Sequence, residues 1–361
     1  MVCPHCGREQ DIAPTGPVIG ELPLEAYFES GRLREQAVEE DTVHCSKCAA
    51  HFTVPSTRAN LACPYCGSEV VFDSTRGERI PPNSLLPFLV TAARARHALG
   101  QWLGSRFWAP NDLKKLALKE GQLKGMYIPY WTFDSQTTTQ YTGMRGIHYY
   151  ETETYYTTVN GQRTAQTRTV RKTRWYPAAG VVFVPFDDVL VLASTAVPQE
   201  YAERLEEWDL GQVQPYQREY LAGFQTQLYD IDLPSGWVRG RDKMQPAIDR
   251  AIRADIGGDE QRITSKNTDY QNNTFKHVLL PMYAGSYRYK QKSHAFLVNG
   301  RTGEIQGSAP ISFWKVFFAV LLGLLIAGGI FYVYQKNQPS SSSSVEFSTD
   351  PAYSPEPSIN W

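Results

Sequence analysis

The sequence of residues 123–131 is LKGMYIPYW, and that of residues 275–283 is FKHVLLPMY. Both are apolar, aromatic-rich runs of the length of a buried strand, although Pro129 and Pro281 favour a bend or an edge. Each run follows a shorter predicted strand, at residues 85–90 and 229–234, and an amphipathic helix. The helix faces are Ala92, Ala95, Leu99 and Trp102, and then Met244, Ala247, Ile248, Ala251 and Ile252. The repeated order predicts a duplicated soluble domain at residues 79–312, with units at about 83–194 and 224–308.

Each unit continues into β-structure. The pairs Asn160-Gly161 and Asn299-Gly300 are strong hairpin signals, and residues 137–176 are rich in Thr, Tyr, Val and Arg, which favours long antiparallel strands. A helical insertion is predicted from about Pro198 to Gly223. The predicted fold class is therefore α+β: an N-terminal zinc ribbon, a duplicated antiparallel-β-rich domain with packed helices, and one C-terminal transmembrane helix.

Four cysteines have the spacing of a tetrahedral zinc site. They occur as Cys45-Ser-Lys-Cys48 and Cys63-Pro-Tyr-Cys66, which predicts a four-cysteine ribbon at residues 41–78. Four thiolates close the coordination shell, so one structural Zn²⁺ is expected rather than a catalytic ion. A disulfide framework or a dithiol redox site fits the two facing pairs less well.

Residues 1–40 contain a third cysteine pair, Cys3 and Cys6, followed by a short helical pattern from Glu21 to Glu39. His5 or His44 could complete a second metal site, which makes Cys3 and Cys6 a doubtful second site. An incomplete ribbon half is the favoured interpretation, since a stable tetrahedral site needs four protein ligands.

The C-terminal part contains an uncharged apolar run, Val316–Tyr334, between Lys315 and Lys336. Its length suits about 30 Å of hydrocarbon, so residues 313–336 are predicted to form a transmembrane helix. The Ser/Pro-rich tail at residues 337–361 cannot bury a core and is predicted to be disordered. Positive charge lies mainly before the run, so the positive-inside rule predicts a single-pass protein of the cell (inner) membrane with its N-terminal domain in the cytoplasm.

A basic segment between residues 161 and 175 contains no acid and alternates with aromatic residues. Its cations are Arg163, Arg168, Arg171, Lys172 and Arg174. It could contact anionic headgroups, or grip phosphates and stack on bases. A solvated hairpin face is the favoured interpretation, an anionic membrane surface the next, and nucleic acid the last. The net charge of −1 gives no general attraction to nucleic acid.

Enzyme motifs do not occur in the sequence: it has no phosphate-binding loop, no dinucleotide fingerprint, no zinc-protease helix and no nucleophile elbow. The acidic groups Asp255/Asp259/Glu260 and Asp187/Asp188 lack a positioning partner at useful spacing. A non-enzymatic protein is therefore expected.

Several segments resemble a family of bacterial zinc-ribbon membrane proteins often labelled primosomal protein N′ (replication factor Y) homologues. The matching segments are Cys63–Gly67, Leu86–Phe88, Gly125–Asp134, Tyr141–Gly146, Phe186–Val191, Asp255–Asp259, Thr274–His277 and Val298–Gly303. The helicase function implied by that label is rejected, because the nucleotide-binding motifs are missing. The resemblance implies a membrane-stress role beside phage-shock-protein-A-type, ESCRT-III-like or flotillin-like partners. Relatives tend to have a complete first ribbon, unlike Cys3 and Cys6.

Together these features predict a membrane-anchored adaptor or scaffold that recruits cytosolic or membrane proteins, with the ribbon as a rigid docking knob beside the lipid bilayer. The alternative is a membrane-associated nucleic-acid-binding protein that uses the ribbon and the basic segment.

Overall fold

The computed structural model describes residues 20–30, 36–37, 42–45, 51–53, 63, 68, 71–72, 78–113, 122–159, 162–205, 208–221, 223–290 and 292–336. The chain divides into two units, Met1–Pro310 and Ile311–Trp361. The predictions for Cys3, Cys6, Cys48, Cys66, the Asn160-Gly161 turn and the tail after Lys336 lie outside the described residues.

The described fold is mixed α+β and rich in strands, as the sequence predicts. The helices are α1 (Leu24–Ser30), α2 (Ala92–Ser105), α3 (Gln199–Arg204), α4 (Leu233–Ile256) and α5 (Phe313–Lys336). The strands are β1 (Leu22–Pro23), β2 (Gln36–Ala37), β3 (Thr42–His44), β4 (His51–Thr53), β5 (Val71–Phe72), β6 (Glu78–Arg79), β7 (Ser84–Leu85), β8 (Gln122–Val159), β9 (Gln162–Leu192), β10 (Gln214–Pro215), β11 (Gln225–Thr226), β12 (Glu260–Tyr289), β13 (Lys292–Asn299) and β14 (Ile305–Gly307).

Three very long antiparallel strands form the centre of a nine-stranded sheet. β8 has 38 residues, β9 has 31 and β12 has 30, whereas an average strand has about five or six. β8 lies between β9 and β12, and β12 continues to β13 and β14. Within the described sheet, the outer edge of β9 has no strand partner.

The two faces of the sheet carry different buried clusters. Tyr127 packs in a cluster with α2, and Trp131 packs in a cluster with α4. These side chains share one face because their positions differ by an even number along β8. Ile128 and Tyr130 point to the other face, where they join a cluster that contains α3. The sheet is therefore covered on both faces at its centre.

The two short strands β7 and β11 exchange partners between the predicted units. In parallel pairs, Leu85 of β7 lies beside Leu279, two residues before Pro281, and Thr226 of β11 lies beside Tyr127, two residues before Pro129. Each unit therefore adds its short strand to the long strand of the other unit. A duplication would account for this reciprocal geometry, and the duplication itself stays a prediction.

Some local predictions were wrong. Residues 229–234 form no strand: Asp232 accepts a hydrogen bond from Ser235 N (2.9 Å) and caps α4, with Pro234 in the first turn, where proline is tolerated. The predicted strand at 85–90 is limited to β7. The insertion after Pro198 contains α3, two single 3₁₀ turns (Leu210–Gln212 and Arg218–Leu221) and β10.

Two further local predictions were wrong in their extent. The helix predicted from Glu21 ends at Ser30, and Gln36–Ala37 form β2. The Asn299-Gly300 pair forms no two-residue turn, because Asn299 N donates to Glu304 O (2.8 Å) across a wider loop. In that loop Gly303 takes the positive φ, at 83°.

Helix α5 agrees with the predicted membrane span. Its segment Phe313–Tyr334 has 22 residues, and an 18-residue stretch within it has a mean hydropathy of 2.6 and no buried residue. Among the described residues it is the one helix long and apolar enough to cross a membrane. Length and composition therefore support a single anchor here.

Candidate functional site

Strands β8 and β9 extend beyond the rest of the sheet. β12 pairs with β8 only as far as Glu260 beside Gly146. Beyond that point β8 and β9 pair with each other alone, through thirteen residue pairs from Ile147/Arg174 to Val159/Gln162. At about 3.3 Å per residue this two-stranded arm, residues 147–159 and 162–174, is about 43 Å long.

The base of the arm is tied to β12 by polar contacts. His148 N donates to Asp259 Oδ2 (2.7 Å), and His148 Nε2 lies 2.8 Å from Glu260 Oε1. Thr173 Oγ1 donates to the same Glu260 oxygen at 2.9 Å. The hydrogen bond with His148 is the main cause that lowers the pKa of Glu260. Asp259 and Glu260 therefore orient the arm.

The remaining acid of that predicted group, Asp255, lies elsewhere. It accepts a hydrogen bond from Tyr141 Oη (2.5 Å) under the C-terminal end of α4. Burial, together with this carboxylate, raises the pKa of Tyr141 to about 12. The acidic residues at 255–260 thus make two separate contacts and form no single site.

The five basic residues of the arm do not share one face. Cross-strand pairing places Arg168, Lys172 and Arg174 on one face, and Arg163 and Arg171 on the other. The tyrosines are divided in the same way. Tyr149 and Tyr155 lie with the first set, and Tyr150 and Tyr156 lie with the second. The arm is therefore cationic and aromatic on both faces.

Two carboxylates on β8 neutralise part of this charge. Lys172 Nζ lies 2.8 Å from Glu151 Oε2 and 3.0 Å from Glu153 Oε1, and Arg168 lies 3.3 Å from Glu153 Oε2. The basic segment itself contains no acid, so only strand pairing reveals these partners. Five cations against two carboxylates leave a formal net charge of about +3 on the arm, with His148 neutral.

Three arm tyrosines have a guanidinium over the ring. The distances from guanidinium carbon to ring centroid are 4.6 Å for Arg163 and Tyr156, 5.7 Å for Arg168 and Tyr155, and 5.0 Å for Arg174 and Tyr149. These distances are in the range of cation–π attraction. The pairs hold the arginines along the arm.

The part of β9 beside α4 has a water-exposed apolar face. Val182 and Val184 pack towards α4, while Val181 and Phe183 point away from it, with 46% and 74% of their surface exposed. Pro177, Ala179 and Pro185 lie on the same face, at every second position of β9. These five residues are called the apolar strip. The sequence did not single it out, because the run around it is apolar on both faces and shows no alternation.

An acidic cluster lies at the bulge of β8 between Phe133 and Ser135. Oxygens of Asp134, Asp187 and Asp188 lie within 4.8 Å of one another, and Lys276 Nζ lies 2.7 Å from Asp188 Oδ1. The lysine ammonium therefore supplies a cation to the cluster. Burial, with a hydrogen bond that the protonated Asp134 donates to Glu21 as a further cause, raises the pKa of Asp134 to about 6.

Two of the predicted zinc ligands are described, and both are buried. Cys45 directly follows β3 in the small sheet β4–β3–β5. Cys63 N donates to Ser68 O (2.8 Å), and Ser68 Oγ lies 3.3 Å from Cys45 Sγ. Ser68 thus contacts both described cysteines, and the four-thiolate zinc site stays a prediction.

The described cysteines also belong to the core of the large unit. Cys45 and Cys63 lie in the same buried cluster as Met126 and Ile128 of β8, and they are 0% and 2% exposed. β4 lies beside β11 of the large sheet. An independent docking knob would stand apart from the large sheet. The two described cysteines instead pack against it.

The comparisons with known proteins give one distant relative. No family model and no solved structure matches this chain. The chain is similar to the uncharacterized protein YdjG of Bacillus subtilis strain 168, with 26% identity over 278 residues that cover 73% of this chain and 77% of YdjG. That description carries no function, so the resemblance to primosomal and membrane-stress proteins stays a prediction.

Proposed function

We propose that this protein is a membrane-anchored, non-enzymatic adaptor that recruits cytosolic proteins to the inner face of the cell membrane. The observation that carries the proposal is the apolar strip on β9, where Phe183 and Val181 are exposed. Contiguous exposed apolar side chains are typical of protein-binding surfaces. Pro177 and Pro185 each lack a backbone N–H, which disfavours addition of a further strand. A partner would therefore bind the side chains.

Helix α5 supports the anchoring part of the proposal. The 22 residues Phe313–Tyr334, in which Lys315 is the one charged residue, cover about 33 Å at 1.5 Å per residue, enough for the hydrocarbon core. The excess of Lys and Arg before the helix favours a cytoplasmic N-terminal unit. In this proposal one structural Zn²⁺ bound by Cys45, Cys48, Cys63 and Cys66 stabilises the cysteine segment. A membrane-stress role with phage-shock-protein-A-type or flotillin-like partners is the most specific form of the proposal.

A crosslinking experiment in native cells tests it. The tagged full-length chain is crosslinked in membranes, and the co-purified cytosolic proteins are compared between wild type and Val181→Thr/Phe183→Ser. Phe107→Ser is the matched control, because Phe107 is equally exposed, at 72%, and lies off the strip. We expect specific partners to be lost only with the strip variant, at equal membrane abundance. An identical set of proteins with all three chains would contradict the proposal.

The second candidate is a membrane-associated nucleic-acid binder, which is favoured by the net positive charge and exposed tyrosines of the arm. In the same preparation it predicts nuclease-sensitive nucleic acid. That nucleic acid should disappear with Arg163→Gln/Arg171→Gln/Arg174→Gln and persist with Val181→Thr/Phe183→Ser.

A further inference from the structure

We propose that the arm is a second membrane contact, which binds the anionic lipid headgroups of the bilayer anchored by α5. This inference rests on the membrane anchoring proposed above. It assigns to the arm a ligand class, the phosphate groups of acidic lipids, and a role in holding the large unit against the membrane surface.

The charge distribution selects an anionic ligand. Among the described residues, Arg163, Arg171 and Arg174 have no carboxylate within ion-pair distance, whereas Lys172 and Arg168 pair with Glu151 and Glu153. Three cations are thus available along the arm. The arm of a second copy would bring the same charge, and like charges placed together are unfavourable.

The aromatic residues distinguish a lipid surface from nucleic acid. Tyrosine and arginine are amphipathic, and both prefer the headgroup level of a bilayer, where a ring or aliphatic stem is shielded and the polar end stays wet. Base stacking needs an open ring face. Tyr149, Tyr155 and Tyr156 each have one ring face covered by a guanidinium, which leaves less aromatic surface for bases.

The pairing register sets the condition for this contact. Gly307, at the end of β14, is level with Leu123 of β8 through Phe296 and Gly285, whereas the arm begins at Ile147. The start of the arm is therefore about 79 Å along β8 from that level. Binding of the arm to headgroups then requires β8 to run along the membrane surface.

The arm also needs a surface for its own stability. Two-stranded ribbons without a third strand or a helix against them are at best marginally stable in water. A flat anionic surface would supply the missing contacts to one face of the arm. Opening of the arm backbone should therefore become rarer when the surface is present.

The test is hydrogen–deuterium exchange on the full chain in nanodiscs. One set contains phosphatidylcholine alone, and the other an equal mixture of phosphatidylcholine and phosphatidylglycerol. Each net charge at an anionic surface adds about fivefold to binding, and a flat surface meets one face of the arm, where Arg163 and Arg171 lie together. Two charges predict slower exchange of the arm peptides by up to roughly twenty-five-fold. We expect this slowing only in the mixed nanodiscs.

Charge variants make the test specific. Arg163→Gln/Arg171→Gln/Arg174→Gln should lose the slowing, whereas the control Arg94→Gln/Arg96→Gln/Arg218→Gln, which removes three exposed cations elsewhere, should keep it. Unchanged exchange of α4 in every variant shows that the fold is intact. Equal arm exchange in the two lipid mixtures would overturn the inference. Retention of the chain in neutral nanodiscs reports the anchor separately. Slowing by an added oligonucleotide in neutral nanodiscs would assign the arm to nucleic acid instead.

Discussion

At the scale of single residues, Pro129 and Pro281 lie in the central strand pair β8–β12, where each ring removes one backbone donor. Pro129 O accepts from Ala193 N (3.0 Å) and Pro281 O accepts from Gly300 N (2.8 Å). The nitrogen of each proline therefore faces the outer strand, β9 for Pro129 and β13 for Pro281. Each outer strand ends beside its proline, so no ladder hydrogen bond is lost there. Bends or edges were predicted for both prolines, and the β8–β12 pairing shows that this was wrong.

A glycine of α4 provides the first prediction. A Cβ on Gly236 would lie 2.6 Å from Trp131 Cδ1, and Trp131 Nε1 is held by its bond to Ile231 O (2.9 Å). We expect Gly236→Ala to destabilise the protein by about 1–2 kcal/mol, since overpacking costs more than the helix propensity of alanine returns. Denaturant unfolding in detergent measures this. The exposed change Val238→Ala should have little effect, and equal stability of Gly236→Ala and wild type would contradict the packing argument.

The carboxyl of Asp134 provides a pH-dependent prediction. Burial, with the Glu21 hydrogen bond as a further cause, raises its pKa from 3.8 to about 6. The proton is therefore bound more tightly in the folded state. Its stabilising contribution is present below pH 4 and is lost as the pH rises through about 6. In Asp134→Asn the amide can donate to Glu21 at every pH. We expect this variant to be more stable than wild type at pH 8, by about 1 kcal/mol after allowance for partial exposure.

Unfolding midpoints of wild type and Asp134→Asn between pH 4 and pH 8 check this expectation. Asp187→Asn is the control, because Asp187 belongs to the same cluster and is exposed. A similar pH dependence in wild type and Asp134→Asn would show that another group is responsible.

At the scale of elements, the sequence predicted α2, α4 and α5 well, because their apolar periodicity or length is strong. It could not show that residues 122–159 form one strand, since local patterns do not distinguish one continuous strand from several hairpins. The partners Glu151 and Glu153 of the basic segment were missed for the same reason. Their contacts depend on the β8–β9 register, which only the folded hairpin defines.

The outer edge of β9, which has no partner among the described strands, provides the third prediction. Proline on an edge strand usually directs its missing donor outward, which protects the edge against pairing with another chain. Pro177→Thr/Pro185→Thr would restore two donors there. We expect stronger concentration-dependent self-association in detergent, measured by sedimentation velocity. Pro110→Thr/Pro234→Thr removes two prolines away from this edge and should behave like wild type. Unchanged sedimentation of the edge variant would show that charge or shape protects the edge.

At the scale of the whole molecule, the position of the cysteines bears on two roles for the predicted ribbon. It could be an independent docking knob or a cover on the large sheet. The sequence established the ligand spacing, but it could not show whether the segment stands alone. Cys45 and Cys63 lie in one buried cluster with the large sheet. If zinc holds this segment together, the metal also protects one face of β8. Structural zinc can contribute more free energy than a small segment has from its own packing.

The final prediction follows from this coupling. We expect about one zinc per chain by elemental analysis, retained in Cys3→Ser/Cys6→Ser and lost in Cys63→Ser/Cys66→Ser, since four thiolates complete one tetrahedral shell. Removal of the metal with a chelator should accelerate hydrogen exchange at Met126–Tyr130, which face or adjoin this cluster, while the arm keeps its own exchange rate. If zinc is lost and the hydrogen exchange of β8 does not change, the ribbon is an independent docking knob instead. Loss of zinc in Cys3→Ser/Cys6→Ser would show that the first pair supplies ligands to a metal site.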